Sequence, residues 1–165
     1  MNLEWIELHD KDYPAVKEIY DYYVLNTTVT FATTVTSLAA LNESILTGHP
    51  KYKSYIIKTN GTVCGFCYFS HYNKRQAYDR TAEVTLYLKP GYTGKGIGRQ
   101  TLEKLETVAR EHGISVLIGI ITAENHQSVR LFEKCGYKKC AHFRKVGEKF
   151  NRILDVVGYQ KIVGE

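Results

Sequence analysis

Three glycines stand at alternate positions in YTGKGIGR, residues 92–99, just before a run with helical periodicity. Glycine at such spacing lets a ligand approach the backbone closely, because no Cβ intervenes. At the start of a helix, free backbone N–H groups and the positive end of the helix dipole attract anions. The stretch therefore predicts phosphate binding, and a flexible strand-to-helix corner is the alternative.

Two common phosphate-binding motifs do not fit this spacing. A Walker A loop needs a lysine directly after its second glycine, and here Ile97 follows Gly96. A Rossmann fingerprint that begins at Gly94 needs a third glycine where Arg99 stands. What remains is a glycine loop that leads into a helix N-terminus and faces an anion.

Glu83 is the candidate acid or base upstream of the glycine stretch. It lies in RTAEVTLYLKP, residues 80–90, where alternating apolar residues predict a strand with two different faces. A carboxylate that is partly desolvated there has a raised pKa, which suits general base catalysis. A solvated surface glutamate is the alternative.

The elements that must position these residues follow from periodicity and turn signals. Their order is β-α-α-β-β-β-α-β-α-β-β, which predicts a mixed α/β domain over residues 1–165 with about six or seven strands and about four helices. The predicted elements are strand 3–8, helix 12–26, helix 37–48 capped by Ser37 and stopped by Gly48, a hairpin at Asn60–Gly61, strand 80–90, helix 98–113, strand 115–122, helix 125–136 and a second hairpin turning near Gly147.

Composition narrows the class of protein. Hydrophobic residues make up 44% and charged residues 24%, which is typical of a globular protein. The longest apolar run, Val116–Ile121, is too short to span a bilayer, and the N-terminus does not resemble a signal peptide. The formal charge of +5 favours an anionic ligand without requiring nucleic acid. We therefore expect a cytoplasmic protein with no membrane partner.

The cysteines do not predict a metal site. Cys64 and Cys67 form a C-x-x-C pair, but they lie in an apparent strand, where residues three apart should face opposite ways. Cys135 and Cys140 are about seventy residues away and differently spaced. Buried free thiols in a reducing compartment are the expected state.

Two stretches resemble motifs of the GNAT superfamily of N-acetyltransferases. LYLKPGYTGKGIGRQTLEKLETVAREHG is similar to its acetyl-CoA motif, Gln/Arg-x-x-Gly-x-Gly/Ala, with Thr93 where the family often has Gln or Arg. NHQSVRLFEKCGY, residues 125–137, resembles the family's asparagine-led helix beside the pantetheine arm. AYDRTAEVTLYL, SVRLFEKCGY and NTTVTFAT (residues 26–33) resemble the branch of phosphinothricin and methionine sulfoximine acetyltransferases, so the similarity covers nearly the whole chain.

The resemblance implies the acyl-CoA N-acyltransferase fold, acetyl-CoA as cosubstrate and no metal. It also implies that Glu83 is the general base that deprotonates the attacking amine, and that backbone N–H groups around Leu86 stabilise the oxyanion. Many relatives have a tyrosine where Phe132 stands, so solvent would protonate the leaving thiolate here. The implied cofactor-binding residues are Leu86, Tyr87, Leu88, Thr93, Gly94, Lys95, Gly96, Ile97, Gly98, Arg99, Asn125 and Ser128.

For the acceptor, the resemblance implies a small amino-acid-like amine of the phosphinothricin or methionine sulfoximine type. Phe31, Arg75 and Tyr78 match positions that line this site in the branch, and an arginine fork suits a carboxylate or phosphinate. Relatives in this branch are dimers whose second subunit borders the cleft, so a homodimer is expected.

Two alternatives stay open. One keeps the cofactor but changes the acceptor to a protein N-terminus, a polyamine or another amine. The other is a basic binding module without turnover, for instance on nucleic acid, against which Glu83 and the intact glycine loop argue. We expect no nucleic acid partner.

Overall fold

Seven strands and four α-helices follow one another in the order that the sequence predicts. The computed structural model describes all 165 residues. Its elements are β1 (Leu3–Glu7), α1 (Tyr13–Asn26), α2 (Leu38–Ser44), β2 (Ser54–Thr59), β3 (Thr62–His71), β4 (Thr81–Leu88), α3 (Ile97–Glu111), β5 (Val116–Thr122), α4 (His126–Lys134), β6 (Lys138–Lys149) and β7 (Arg152–Ile162). The strands form a single mixed sheet in the order β1-β2-β3-β4-β5-β7-β6. The predicted fold class is confirmed.

One pair of neighbouring strands, β4 and β5, runs parallel, and this pair separates early. Their register covers only three residue pairs, from Thr81 opposite Val116 to Glu83 opposite Ile118. On its other side β4 stays paired with β3 as far as Leu88, which lies opposite Gly65. Beyond Glu83, the edge of β4 that faces β5 is therefore free, and a gap opens in the sheet.

Helices cover both faces of the sheet and define two apolar cores. Leu102 and Leu105 of α3 belong to a core cluster of 22 buried residues that also contains Val84 of β4. Ile19 of α1 belongs to a second cluster of 8 buried residues, against which Tyr87 of β4 packs. The alternation in β4 thus sends its side chains to different cores, as its sequence predicts. No helix combines the length and the apolar character that crossing a bilayer requires.

Helix α2 begins where the sequence predicts but ends earlier. The Ser37 side chain caps it by accepting a hydrogen bond from the Ala40 N–H at 3.1 Å. The predicted stop at Gly48 is wrong, because the helix ends at Ser44. Ile45 takes an extended backbone and is buried, and its carbonyl accepts a hydrogen bond from the Tyr13 hydroxyl at 2.7 Å. The chain therefore leaves the helix at a buried residue, before it reaches the predicted glycine.

The second hairpin turns at Phe150–Asn151, and the predicted turn near Gly147 is wrong. Both turn residues have positive φ, 53° and 57°, as a two-residue hairpin turn of type I′ requires. Gly147 lies inside β6 instead. The Phe31 ring occupies the space that a Cβ would take there, at 2.2 Å, so this glycine serves close packing and not a turn.

Cys64 and Cys67 share one core, contrary to the expectation that they face opposite ways. Lys58 lies opposite Val63 while Ile57 lies opposite Gly65, so the register shifts at this point and leaves Cys64 as an extra residue in β3. Such a bulge adds one residue to the spacing and brings side chains three apart to the same face. All four cysteines are free thiols.

Candidate active site

A cleft follows the gap between β4 and β5, and it has two connected parts. The Glu83 cavity, of about 320 Å3, is lined by Glu83 together with residues such as Tyr20, Tyr68, Ile120 and Phe132. The glycine groove, of about 450 Å3, is lined by residues of the glycine stretch and of α4. The two parts share Val29, Leu86, Tyr87, Asn125, Ser128 and Leu131. A ligand in the groove would therefore reach the carboxylate along the free edge of β4.

The glycine groove begins at the glycine-rich N-terminus of α3. Gly94 and Gly96 have φ of 73° and 82°, a left-handed conformation that other residues adopt at a cost. Gly96 is the N-cap of α3 and offers no capping side chain. The first-turn N–H groups of a helix have no acceptor within the helix, so they are available to an anion.

A third glycine brings this helix start close to the sheet. A Cβ added at Gly98 would lie 2.9 Å from Leu131 of α4 and 3.6 Å from Leu86 of β4. The missing side chain therefore lets α3 pack closely against both elements. This contact sets the glycine loop beside the free edge of β4.

Two cations of the groove were not predicted from the sequence. Arg130 and Lys134 line it one helical turn apart on α4. Neither takes part in any of the five ion pairs, whereas Arg99 pairs with Glu103 at 2.9 Å. The signal available in the sequence was their spacing of four along a helix of strongly amphipathic pattern. Other lining residues that sequence analysis missed are Tyr23, Val29, Gln127 and Leu131.

The predicted cofactor-binding residues divide into two groups. Lys95 and Ile97 do not line the cleft: Ile97 is fully buried in the larger core, and the Lys95 ammonium lies 5.5 Å from the Tyr92 ring centroid. The others line the groove, namely Leu86, Tyr87, Leu88, Thr93, Gly94, Gly96, Gly98, Arg99, Asn125 and Ser128.

Asn125 links the cleft to the start of α4. Its Oδ1 accepts a hydrogen bond from the Ser128 N–H at 3.3 Å, and its Nδ2 donates to the Ser128 hydroxyl at 2.9 Å. The residue thus caps the helix and places both polar side chains where the Glu83 cavity meets the glycine groove. That Asn125 opens this helix is what the sequence pattern indicates.

Glu83 is half-buried and lies where the two strands begin to separate. Burial raises the pKa of its carboxyl group above the ordinary range. None of the five ion pairs includes it, so no cation compensates for its charge. Burial also raises the pKa of nearby Tyr68 to about 12, so this phenol stays protonated. The site therefore offers one carboxylate suited to accept a proton.

Phe132 closes part of the Glu83 cavity with an apolar ring. A Cβ at Gly119 of β5 would lie only 2.3 Å from this ring, so the ring packs closely against the backbone there. The ring also packs at an edge against Tyr137, with 4.8 Å between centroids. Phe132 therefore shapes the wall of the Glu83 cavity and provides no proton donor there.

The three predicted acceptor-binding residues lie outside both parts of the cleft. Phe31 packs on Gly147 of β6. Arg75 is exposed, and its backbone N–H donates to Asn73 at 3.0 Å. Tyr78 is exposed and makes an edge contact with Tyr72. Within one chain the structure does not bring these side chains to Glu83, and their roles stay predictions.

No group of three or more His, Cys, Asp or Glu residues is arranged to hold a metal ion.

Comparison with known proteins gives consistent matches. The model of the Acetyltransferase (GNAT) family matches residues 3–137. The chain is 33% identical to the L-methionine sulfoximine/L-methionine sulfone acetyltransferase of Salmonella typhimurium over 94% of this chain and 92% of that protein. It is 31% identical to an L-amino acid N-acyltransferase of Escherichia coli over 90% of this chain and 87% of that protein.

A solved structure agrees with these matches. It is that of a GNAT superfamily phosphinothricin acetyltransferase from Sinorhizobium meliloti in complex with acetyl-CoA. It superposes with a TM-score of 0.92 at 30% identity, over 100% of this chain and 90% of that chain.

Proposed function

We propose that this chain, which belongs to the GNAT family of acetyltransferases, transfers the acetyl group of acetyl-CoA to the primary amine of a small amino-acid-like substrate. The observation that carries the proposal is the position of Glu83, a half-buried carboxylate with a raised pKa in the cavity that adjoins the groove. A base for the amine and a site for the donor are thus side by side.

The groove suits the pyrophosphate of the cosubstrate. The N–H groups at the start of α3 would bind its oxygens, and the left-handed glycines Gly94 and Gly96 leave room for them. Arg130 and Lys134 would add positive charge from the wall that α4 forms. The edge of β4 at Leu86–Leu88 is not paired with β5, and there the Leu88 carbonyl accepts a hydrogen bond from the Tyr23 hydroxyl. The other backbone groups of this edge would pair with the amide groups of the pantetheine arm as an added strand does.

Glu83 would act on the amine. An ammonium group has no lone pair, so it must lose a proton before it attacks the thioester. A carboxylate whose pKa is raised by burial holds that proton better than a solvated one. Backbone N–H groups around Leu86 would stabilise the oxyanion that develops. Phe132 cannot donate a proton, so the leaving thiolate would take one from solvent.

The acceptor class rests on relatives and on one predicted contact. The matched proteins are named for methionine sulfoximine, L-amino acids and phosphinothricin. No lysine or arginine lines the Glu83 cavity, so a carboxylate or phosphinate of the substrate needs a cation from elsewhere. We assign this role to Arg75, and we propose Phe31 and Tyr78 as further acceptor-binding residues. We also propose a homodimer in which a second subunit borders the cleft.

Location is part of the same proposal. All four cysteines are free thiols, and Cys64 and Cys67 are fully buried in the larger core. The reducing cytoplasm maintains this state. We therefore place the enzyme there.

A panel of amines tests the function. Thiol release from acetyl-CoA would be followed with methionine sulfoximine, phosphinothricin, ordinary L-amino acids, a polyamine and a peptide N-terminus. We expect the highest kcat/KM with an amino acid or analogue, and an Arg75→Ala variant should raise KM for it. A preference for the peptide or the polyamine would show that the acceptor belongs to that class instead. Salt-sensitive DNA binding without turnover of any amine would contradict the proposal that the chain is an enzyme.

A further inference from the structure

Lys149, the last residue of β6, is a buried lysine without an acidic partner. It is only 3% exposed, and none of the five ion pairs includes it. Its ammonium donates a hydrogen bond to the Thr30 carbonyl at 2.9 Å and lies 5.2 Å from the Phe150 ring centroid. Burial lowers the pKa of this group. Burying an ammonium costs free energy, and here no carboxylate offsets that cost, only one hydrogen bond and one ring contact.

The carbonyl that this lysine holds belongs to residues 27–31, which we call the strap. The strap follows α1 and crosses to the ends of β5 and β6. The Thr122 hydroxyl donates to the Thr28 carbonyl at 2.7 Å, so the strap is also anchored one residue before Val29. Val29 lies between the two anchors and lines both the Glu83 cavity and the glycine groove.

The Thr30 side chain connects the same point to the cavity wall. Its hydroxyl and the Tyr20 hydroxyl are 2.8 Å apart, and Tyr20 lines the Glu83 cavity. The hydrogen bond from the ammonium therefore fixes a backbone that is linked to the cleft on one side by Val29 and on the other by Tyr20.

We propose that Lys149 is a positioning residue for the acceptor, which holds the Thr30 carbonyl and thereby keeps Val29 against the cleft. The catalytic part of this inference rests on the proposed function. A hydrogen bond from a charged donor is directional, and an apolar side chain of similar volume fills the space without fixing the carbonyl. Lys149→Met removes that hydrogen bond while conserving volume.

Hydrogen exchange tests the anchoring independently of any activity. The N–H groups of Val29 and Ala32 donate to the Thr27 and Thr30 hydroxyls, so their exchange reports on the strap. In Lys149→Met these two amides should exchange about tenfold faster, because one of the anchors of the strap is a charged hydrogen bond from Lys149. Lys138→Met is the matched control, because Lys138 is exposed at the other end of the same strand. Exchange at wild-type rate in Lys149→Met would overturn the proposal.

Kinetics test the consequence for the acceptor. Lys149→Met should lower kcat/KM for the best amine of the panel about tenfold without lowering Tm, because the buried charge is gone. Because the effect of Lys149→Met acts through Val29, the double variant with Val29→Ala should lose less kcat/KM than the product of the two single-variant losses. A lowered Tm with full kcat/KM, or losses that multiply, would contradict the inference. If the wild type acetylates no amine, the proposed function fails and the exchange experiment still decides on the anchor.

Discussion

At the scale of single residues, the chemistry depends on one carboxylate. Glu83 lines the cleft, and burial raises its pKa. We predict that Glu83→Gln lowers kcat/KM by about 10²–10⁴-fold, the usual contribution of a general base. In the wild type, kcat/KM should rise with pH through a pKa above the ordinary range of Glu, and this limb should vanish in the variant.

The same substitution has a predictable effect on stability. Because the folded-state pKa of Glu83 is raised, its protonated form is favoured in the folded protein. The resulting stabilisation is present below the unfolded pKa and is lost as pH rises through the folded pKa. Glu83→Gln should therefore have a higher Tm than the wild type at pH 8 and a similar Tm at pH 4, as followed by thermal unfolding.

An exposed glutamate provides the control for this variant. Glu43, near the end of α2, is solvent-exposed and lies outside the cleft. Glu43→Gln should change neither kcat/KM nor the difference in Tm between the two pH values. If Glu83→Gln behaved like Glu43→Gln, Glu83 would not be the base.

At the scale of elements, the start of α3 is the feature that holds the donor. Gly96 has φ of 82°, and a Cβ added there would meet no atom within 4 Å. Gly96→Ala should therefore destabilise the fold by about 1 kcal/mol through backbone conformation alone. Because the residue lines the groove, KM for acetyl-CoA should also rise, measured at saturating amine.

A second glycine separates the two effects. Gly61, in the turn between β2 and β3, has φ of 81° and equally open space, and it lies outside the groove. Gly61→Ala should cost similar stability and leave KM for acetyl-CoA unchanged. Equal KM in both variants would mean that the loop at Gly96 does not bind the donor.

At the scale of the whole molecule, the β6–β7 hairpin is the surface that suits a second copy. Strand β6 ends the sheet, and Phe143, Val146, Phe150 and Ile153 of the hairpin are each more than half exposed. An unpaired edge with apolar side chains favours association. We predict that the wild type sediments as a dimer and that Ile153→Lys shifts it to the monomer, with a loss of amine turnover.

Ile6 of β1 provides the control for the dimer. It is an exposed apolar residue on the edge strand at the opposite end of the sheet from β6. Ile6→Lys should leave both sedimentation and turnover unchanged. A wild-type chain that sediments as a monomer and still acetylates its substrate would show that the cleft is complete in one subunit.

The sequence by itself determined the order of elements, the two faces of β4 and the glycine start of α3, because hydrophobic periodicity and backbone conformation are local properties. Local signals also located Ser37 and Asn125 as caps. Local signals gave wrong predictions where packing with distant residues matters. Helix α2 ends beside a buried isoleucine, and Gly147 accommodates the Phe31 ring.

Only the tertiary structure decided which residues form and line the cleft. The separation of β4 from β5 after Glu83, the cations Arg130 and Lys134, and the bond from Lys149 to the strap each join segments distant in the chain. Lys149 and Thr30 are 119 residues apart, so no periodicity or spacing could pair them. Such contacts arise when packing brings faces together, which a single sequence does not reveal.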